Sequence, residues 1–154
     1  MNLSPHFTYA EAVHTNQCVA NEPGPVALAN IEYVADKMEL VREILGKPIT
    51  VNSWFRSQQV NELVGGARNS DHLSGCAVDF VSPQFGTPIQ ICQELIKHQD
   101  VLGYKQLIFE HTWVHISWDP TPNTLPKLQV LSLLRGGHYA QGLTDIDGRF
   151  LTKA

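Results

Sequence analysis

The sequence has no run of like charge, no long apolar stretch and no paired cysteine motif, and each absence removes a class of function. Eleven Lys and Arg stand against 15 Asp and Glu in 154 residues, a net charge of −4. The basic residues gather nowhere, so the electrostatic footprint of a nucleic-acid or anionic-membrane binder is missing. No segment approaches the roughly 18 consecutive apolar residues of a membrane span. Met1 to Phe7 carry neither the basic start nor the apolar core of a secretory signal. The expectation is a soluble chain made in the cytoplasm, with no nucleic-acid partner and no membrane insertion.

Its three cysteines, Cys18, Cys76 and Cys92, are odd in number, far apart and free of any C-x-x-C pairing. Neither a disulfide framework nor a thiolate metal site is indicated, and all three read as free thiols. Also missing are an H-E-x-x-H helix, a G-x-S-x-G elbow and a P-loop. No internal repeat or low-complexity tract interrupts the chain. At this length one compact domain spanning residues 1–154 can bury a core without covalent staples.

What is present begins with a loop-rich arm over residues 4–25, broken at Pro23-Gly24-Pro25, with one helical turn near Tyr9 to Ala12. From Val26 to Leu45 apolar residues at Ala27, Ile31, Val34, Ala35, Met38, Val41 and Leu45 keep the three-and-four spacing of an amphipathic helix, stopped by Gly46 and Pro48. Ile49 to Trp54 and Cys76 to Val81 read as strands, and Ser57 to Val64 as a short helix. Thr87-Pro88 opens a helix reaching about His98. Lys105 to Glu110 and Trp113 to Trp118 suggest an antiparallel hairpin around His111-Thr112, ended by the Asp119 to Asn123 break. Lys127 to Leu134 suits a last edge strand or an extended packing segment, and Gly136 to Ala154 gives little periodic signal.

Two stretches carry the chemistry. Asn69 to Phe80 contains His72 and Asp79, and Trp113 to Ser117 contains His115. Two imidazoles and one carboxylate are the usual protein share of a catalytic zinc centre that keeps its fourth position open. Strand parity puts Asp79 on one face with Ala77 and Val81, and His115 on one face with Trp113 and Ser117, so the ligands can share a cleft. Gly75 lets the loop carrying His72 turn back toward Asp79.

If the hairpin closes through His111-Thr112, Ile108 lies opposite His115 and Glu110 sits diagonally from it, roughly 7–8 Å away at the backbone. A carboxylate at that remove suits a general base acting on a water rather than a ligand. His-Thr is not a favoured two-residue hairpin loop. His111 itself reads as a solvated turn residue, against a role as proton donor or extra ligand. His6, His14, His98 and His138 read as surface residues.

Ser70-x-His72-x-x-Gly75-x-Ala77-x-Asp79 resembles the first signature of the zinc D-Ala-D-Ala carboxypeptidases and related peptidoglycan peptidases of the M15 group, and Trp113-Val114-His115 resembles their third-ligand segment. The likeness extends to Val51 to Ser57 and to Gln106 to Glu110, covering about residues 4–118 and leaving 119–154 as a C-terminal extension packing on or trailing from the core. The chain departs from the pattern in two places. Thr112 stands where compact relatives carry a Glu three residues before the last ligand, and Ser53-Trp54-Phe55 replaces the usual Ser-Gly-Tyr.

The resemblance implies an α+β, hedgehog/DD-peptidase-like fold, with a small, mainly antiparallel sheet carrying one zinc ion and helices on its other face. It implies that Arg56 grips and polarises the scissile carbonyl and that Ser70 supports the site, against an ion pair and a turn cap respectively. Trp113 could equally stack on substrate or pack within the hairpin. The implied function is a monomeric zinc metallopeptidase cleaving peptidoglycan stem peptides. It would act as a D-Ala-D-Ala carboxypeptidase or an L-Ala-D-Glu endopeptidase of the phage or prophage endolysin type, reaching the wall by a separate route. The alternative is a non-catalytic zinc-stabilised binding module or virion component.

Overall fold

The computed structural model describes residues 1–120 and 125–151. Of the break expected at residues 119–123, only Asp119 and Pro120 lie among them. The arm expected at the start is more ordered than its composition suggested. Two short strands, β1 (Asn2–Ser4) and β2 (Phe7–Thr8), pair antiparallel and lead into α1 (Tyr9–Val13). Thr8 and Glu11 exchange the reciprocal bonds of a capping box at the start of α1.

The long helix α2 (Pro25–Leu45) starts with proline at its first position and ends where Gly46 turns left-handed at φ 66° and donates to the Arg42 carbonyl. Its buried residues Ile31, Val34, Ala35, Met38, Val41 and Leu45 are the apolar stripe read from the sequence. Strand β3 (Thr50–Ser53) and helix α3 (Gln58–Leu63) follow, then a 3₁₀ turn (Asp71–Ser74) and strand β4 (Ala77–Val81). Helix α4 (Pro88–Lys97), capped by Thr87, is continued by α5 (Gln99–Leu102).

Strands β5 (Gln106–Phe109) and β6 (Val114–Ser117) form the expected hairpin, and β7 (Gln129–Leu133) and β8 (Tyr139–Gln141) complete a six-stranded sheet in the order β3-β4-β6-β5-β7-β8. All its pairings are antiparallel except β5 with β7. The last of the expected strands is therefore neither last nor at an edge. β7 runs beside β5 in the sheet interior, and the edge belongs to β8, drawn from the stretch without periodic signal.

Sheet parity divides the core from the site. Val78, Phe80, Leu107, Phe109, Val114 and Ile116 enter one apolar cluster with Ile31, Met38, Ile91 and Leu95 from α2 and α4. Burying a side chain of this kind contributes about 1.5–3 kcal/mol, which fixes the strands' register because a one-residue slip would expose the whole set. The alternate residues Ala77, Asp79, Ile108 and His115 consequently face the other way.

Candidate metal centre and active-site cleft

Asp79 on β4 and His115 on β6 are direct cross-strand partners, as are Ile108 and His115 across the β5–β6 pair. The register deduced for the hairpin therefore holds, and the Glu110 N–H donates to the Trp113 carbonyl at 3.2 Å to close it. His115 Nδ1 lies 2.9 Å from Asp79 Oδ1, and His72 Nε2 lies 3.2 Å from Asp79 Oδ2. One donor atom from each of the three residues lies within 4.8 Å of the other two. Among the described residues no other His, Cys, Asp or Glu group gathers in this way.

His72 reaches the site from the 3₁₀ turn. Ser70 caps that turn by accepting from the His72 N–H at 3.2 Å, and Gly75 ends it at φ 79°. A side chain at Gly75 would be strained by that φ, and its Cβ would stand 2.8 Å from Ile31 Cγ1 and 3.1 Å from the Ala27 carbonyl on α2. The sharp turn expected there is thus enforced by backbone and packing together.

The orientation of the His72 ring tests the fit of a metal. Its Nδ1 lies 2.6 Å from the Trp54 carbonyl, which can only accept, so Nδ1 carries the proton. With Nδ1 committed to that carbonyl, His72 turns toward Asp79 Oδ2 its Nε2, the nitrogen it would offer to a shared cation. Asp79 is buried, which by itself would raise its carboxyl. Hydrogen bonds from His115 and His72 outweigh that and hold it well below the usual carboxylate range. Two imidazoles and an ionised carboxylate fit one zinc ion.

Trp54, where relatives were expected to carry a glycine, is buried inside the core rather than in the cleft. Its indole N–H donates to the Gly75 carbonyl at 3.0 Å while its own carbonyl receives His72, and its ring meets Phe7 edge-on at 6.2 Å. Trp54 thus ties both ends of the ligand turn to the end of β3, and the indole tie to Gly75 is the one that the substitution adds. Lys105 adds a third tie, with bonds of 3.0 and 3.1 Å to the two oxygens of Asp71. Neither was legible as a support for the ligands, because both act through loop backbone and distant sequence.

Arg56 is half-buried beside the cluster, with Nη2 3.4 Å from Asp79 Oδ2, Nη1 3.4 Å from Asn61 Oδ1 and Nε 3.1 Å from Ser53 Oγ. Glu110 and Trp113 line the same cleft of about 420 Å³ as His72, Asp79, His115 and Ser70. Burial raises the Glu110 carboxyl and Asp79 adds to this, against the lowering effect of His115. A larger hollow, about 1070 Å³, shares Arg56 and Asn69 with this cleft and is lined by none of His72, Asp79 and His115.

Two further residues of the cleft escaped the sequence reading. Leu131 of β7 and Tyr139 of β8 form part of its wall, and the Tyr139 hydroxyl donates to Glu110 Oε1 at 3.2 Å. The histidines outside the cluster also depart partly from expectation. His6 is exposed as expected, though it pairs with Glu39 at 2.7 Å, whereas His98 is half-buried and bonded to the Glu94 carbonyl, and His111 Nε2 donates to the Leu133 carbonyl at 2.7 Å. His14 and His138 are exposed as expected, and all three cysteines are free.

The sequence pattern of the peptidase M15 family matches residues 5–117, a span that contains the whole His72–Asp79–His115 cluster. The chain belongs to the peptidase M15 family. Its fold is accordingly of the hedgehog/DD-peptidase type. This M15 chain is also 42% identical over 80 residues to a zinc D-Ala-D-Ala carboxypeptidase of Streptomyces albus G. That alignment covers 48% of the chain and 30% of the relative's length. Strands β7 and β8 lie beyond the family-matched segment.

Proposed function

We propose that the chain is a zinc-dependent peptidase that hydrolyses amide bonds in peptidoglycan stem peptides. The observation that carries this reading is the convergence of the His72–Asp79–His115 cluster and the Glu110 carboxylate on one cleft. Membership of the peptidase M15 family and the named activity of the Streptomyces relative support the chemistry and the substrate class.

His72, Asp79 and His115 would hold the metal. A zinc ion bound there supplies Lewis acidity, lowering the pKa of water and polarising a carbonyl. Glu110 accepts the proton of the attacking water and passes it to the leaving amine, for which its raised carboxyl is suited. Arg56 presents a permanent charge at the cleft wall and stabilises negative charge developing on the scissile carbonyl oxygen. Ser70 supports the site by holding the turn that carries His72, and Trp113 offers an aromatic surface to the substrate.

The finer reading is an endolysin-type enzyme of phage or prophage origin that removes a terminal D-alanine or cuts between L-alanine and D-glutamate, working as a monomer at the wall. Digestion of purified muropeptides with mass analysis distinguishes the two cuts, since loss of one alanine and cleavage after L-alanine change the mass differently. Glu110→Gln is expected to abolish product while zinc remains bound. Absence of any new terminus from the zinc-loaded native chain would favour a non-catalytic zinc-stabilised binding module.

A further inference from the structure

The turn that carries Glu110 is held from outside the hairpin. His111 takes a left-handed φ of 70°, uncommon for a residue with a side chain. Its ring lies 4.3 Å from the Phe109 ring, centroid to centroid, and donates to the Leu133 carbonyl. Beside it, the Glu110 carboxylate accepts from the Tyr139 hydroxyl. Leu133 and Tyr139 are direct partners across the β7–β8 pair. One rung of the ribbon thus grips the turn at two adjacent residues, one tie going to backbone and the other to carboxylate.

The ribbon reaches that position through the parallel β5–β7 pairing, which sets Phe109 beside Ser132 and brings the next residue of each strand to the same end of the sheet. The Ser132 hydroxyl donates to the Gly142 carbonyl and accepts from the Thr144 N–H, anchoring the chain after β8 back onto β7. Burial and the Glu110 charge push the Tyr139 phenol up to about 12, so it remains a donor at neutral pH.

We propose that the Leu133–Tyr139 rung positions the general base: Tyr139 holds one carboxylate oxygen of Glu110 so that the other faces the reacting water, and the His111–Leu133 bond fixes the turn beneath it. Tyr139 and His111 are positioning residues, and the assignment rests on the reading of Glu110 as the base. It gives residues 125–151 a part in the reaction although they lie beyond the family-matched segment.

The test compares the zinc-loaded native chain with Tyr139→Phe, His111→Asn, Glu110→Gln and Tyr139→Phe/Glu110→Gln, using a soluble muropeptide digest as substrate. Phenylalanine keeps the ring and removes only the hydroxyl. Asparagine tolerates the left-handed φ and removes the ring tie. Each single change at Tyr139 or His111 is expected to lower kcat about tenfold with KM nearly unchanged, the effect of a mispositioned group rather than lost binding. Zinc stoichiometry should stay at one, and amide hydrogen exchange at residues 110–113 should accelerate. Tyr139→Phe should also move the acidic limb of the kcat profile to higher pH, since its bond favours the ionised carboxylate, and should add no loss to Glu110→Gln. An inactive Glu110→Gln beside a Tyr139→Phe with native kcat and pH profile would overturn the rung's role alone. A fully active Glu110→Gln would overturn the base assignment and the rung's role with it.

Discussion

Gly75→Ala separates the two demands that the ligand turn makes on this position. The left-handed backbone at φ 79° is disfavoured for an L-residue by about 1–2 kcal/mol. The added Cβ would also sit 2.8 Å from Ile31 Cγ1 and 3.1 Å from the Ala27 carbonyl. Ile31 is fully buried and both neighbours belong to α2, so neither can swing aside; overpacking of this kind typically costs about 1–3 kcal/mol. The sum, roughly 2–5 kcal/mol, is a large fraction of a stability that is commonly about 5–15 kcal/mol. With a urea slope of about 2 kcal/mol per molar, the unfolding midpoint of the zinc-stripped chain should fall by roughly 1–2.5 M. Gly46→Ala is the control, because Gly46 is also left-handed but an added Cβ meets nothing within 4 Å. It should lose only about 1–2 kcal/mol, the backbone part. Because the Gly75 carbonyl holds Trp54 and the Trp54 carbonyl holds His72, Gly75→Ala should also weaken zinc binding, whereas Gly46→Ala should not. Equal midpoints for the two variants, or native zinc affinity in Gly75→Ala, would refute the argument that packing against α2 fixes the ligand turn.

Three other outcomes follow from the same geometry. Asp79→Asn should abolish the stabilisation that zinc confers on the native chain, about 2.7 kcal/mol at a hundredfold excess over Kd, as read by the shift in Tm on zinc addition to chelator-treated protein. Burial raises the Glu110 carboxyl, so kcat/KM should rise with pH through a value above the ordinary one for a glutamate, and a limb at the ordinary value would contradict its burial. Burial opposes ionisation of Glu39, but bonds from the Ser4 hydroxyl and from the His6 ring and backbone outweigh it and lower its carboxyl. Its contribution to stability is therefore complete above the unfolded-state carboxylate value and is lost as pH falls through the lower folded one. Glu39→Gln should flatten that part of the acid limb in a Tm-against-pH series.

The ligand geometry was legible because it depends on rules that act locally. A period of two sends Asp79 and His115 to one face whatever surrounds them, and a glycine before β4 announces by itself that the chain can turn left-handed there. The weakest step in the reading, the His111-Thr112 loop, closes in the expected register despite an unfavourable sequence. The compensation comes from Leu133, more than twenty residues away, whose carbonyl captures the His111 ring. Nothing near the loop announces that partner. Tyr139 was hidden for a related reason. β8 has three residues, two of them exposed, so it shows no apolar alternation, and β7 reaches β5 by a parallel pairing that no hairpin turn marks. Trp54 was legible only as a departure from the relatives' pattern, yet its side chain lies in the core and it supports the site through both its indole N–H and its backbone carbonyl.

These supports fall into two mechanically separate sets, and the division has a consequence for function. His72, Asp79 and His115 stand on β4, β6 and a turn pinned to β3, α2 and β5, all within the family-matched segment. Glu110 stands on a turn braced by β7 and β8, outside it. Metal affinity should follow perturbations of the first set, and turnover should follow either. Substitutions near Trp54 and Gly75 should therefore reduce zinc binding and rate together, while those at the Leu133–Tyr139 rung should reduce rate at unchanged zinc content. On the proposed mechanism, a chain with this division can vary its C-terminal ribbon to adjust where the base sits and which substrates the cleft wall admits, without rebuilding the metal site.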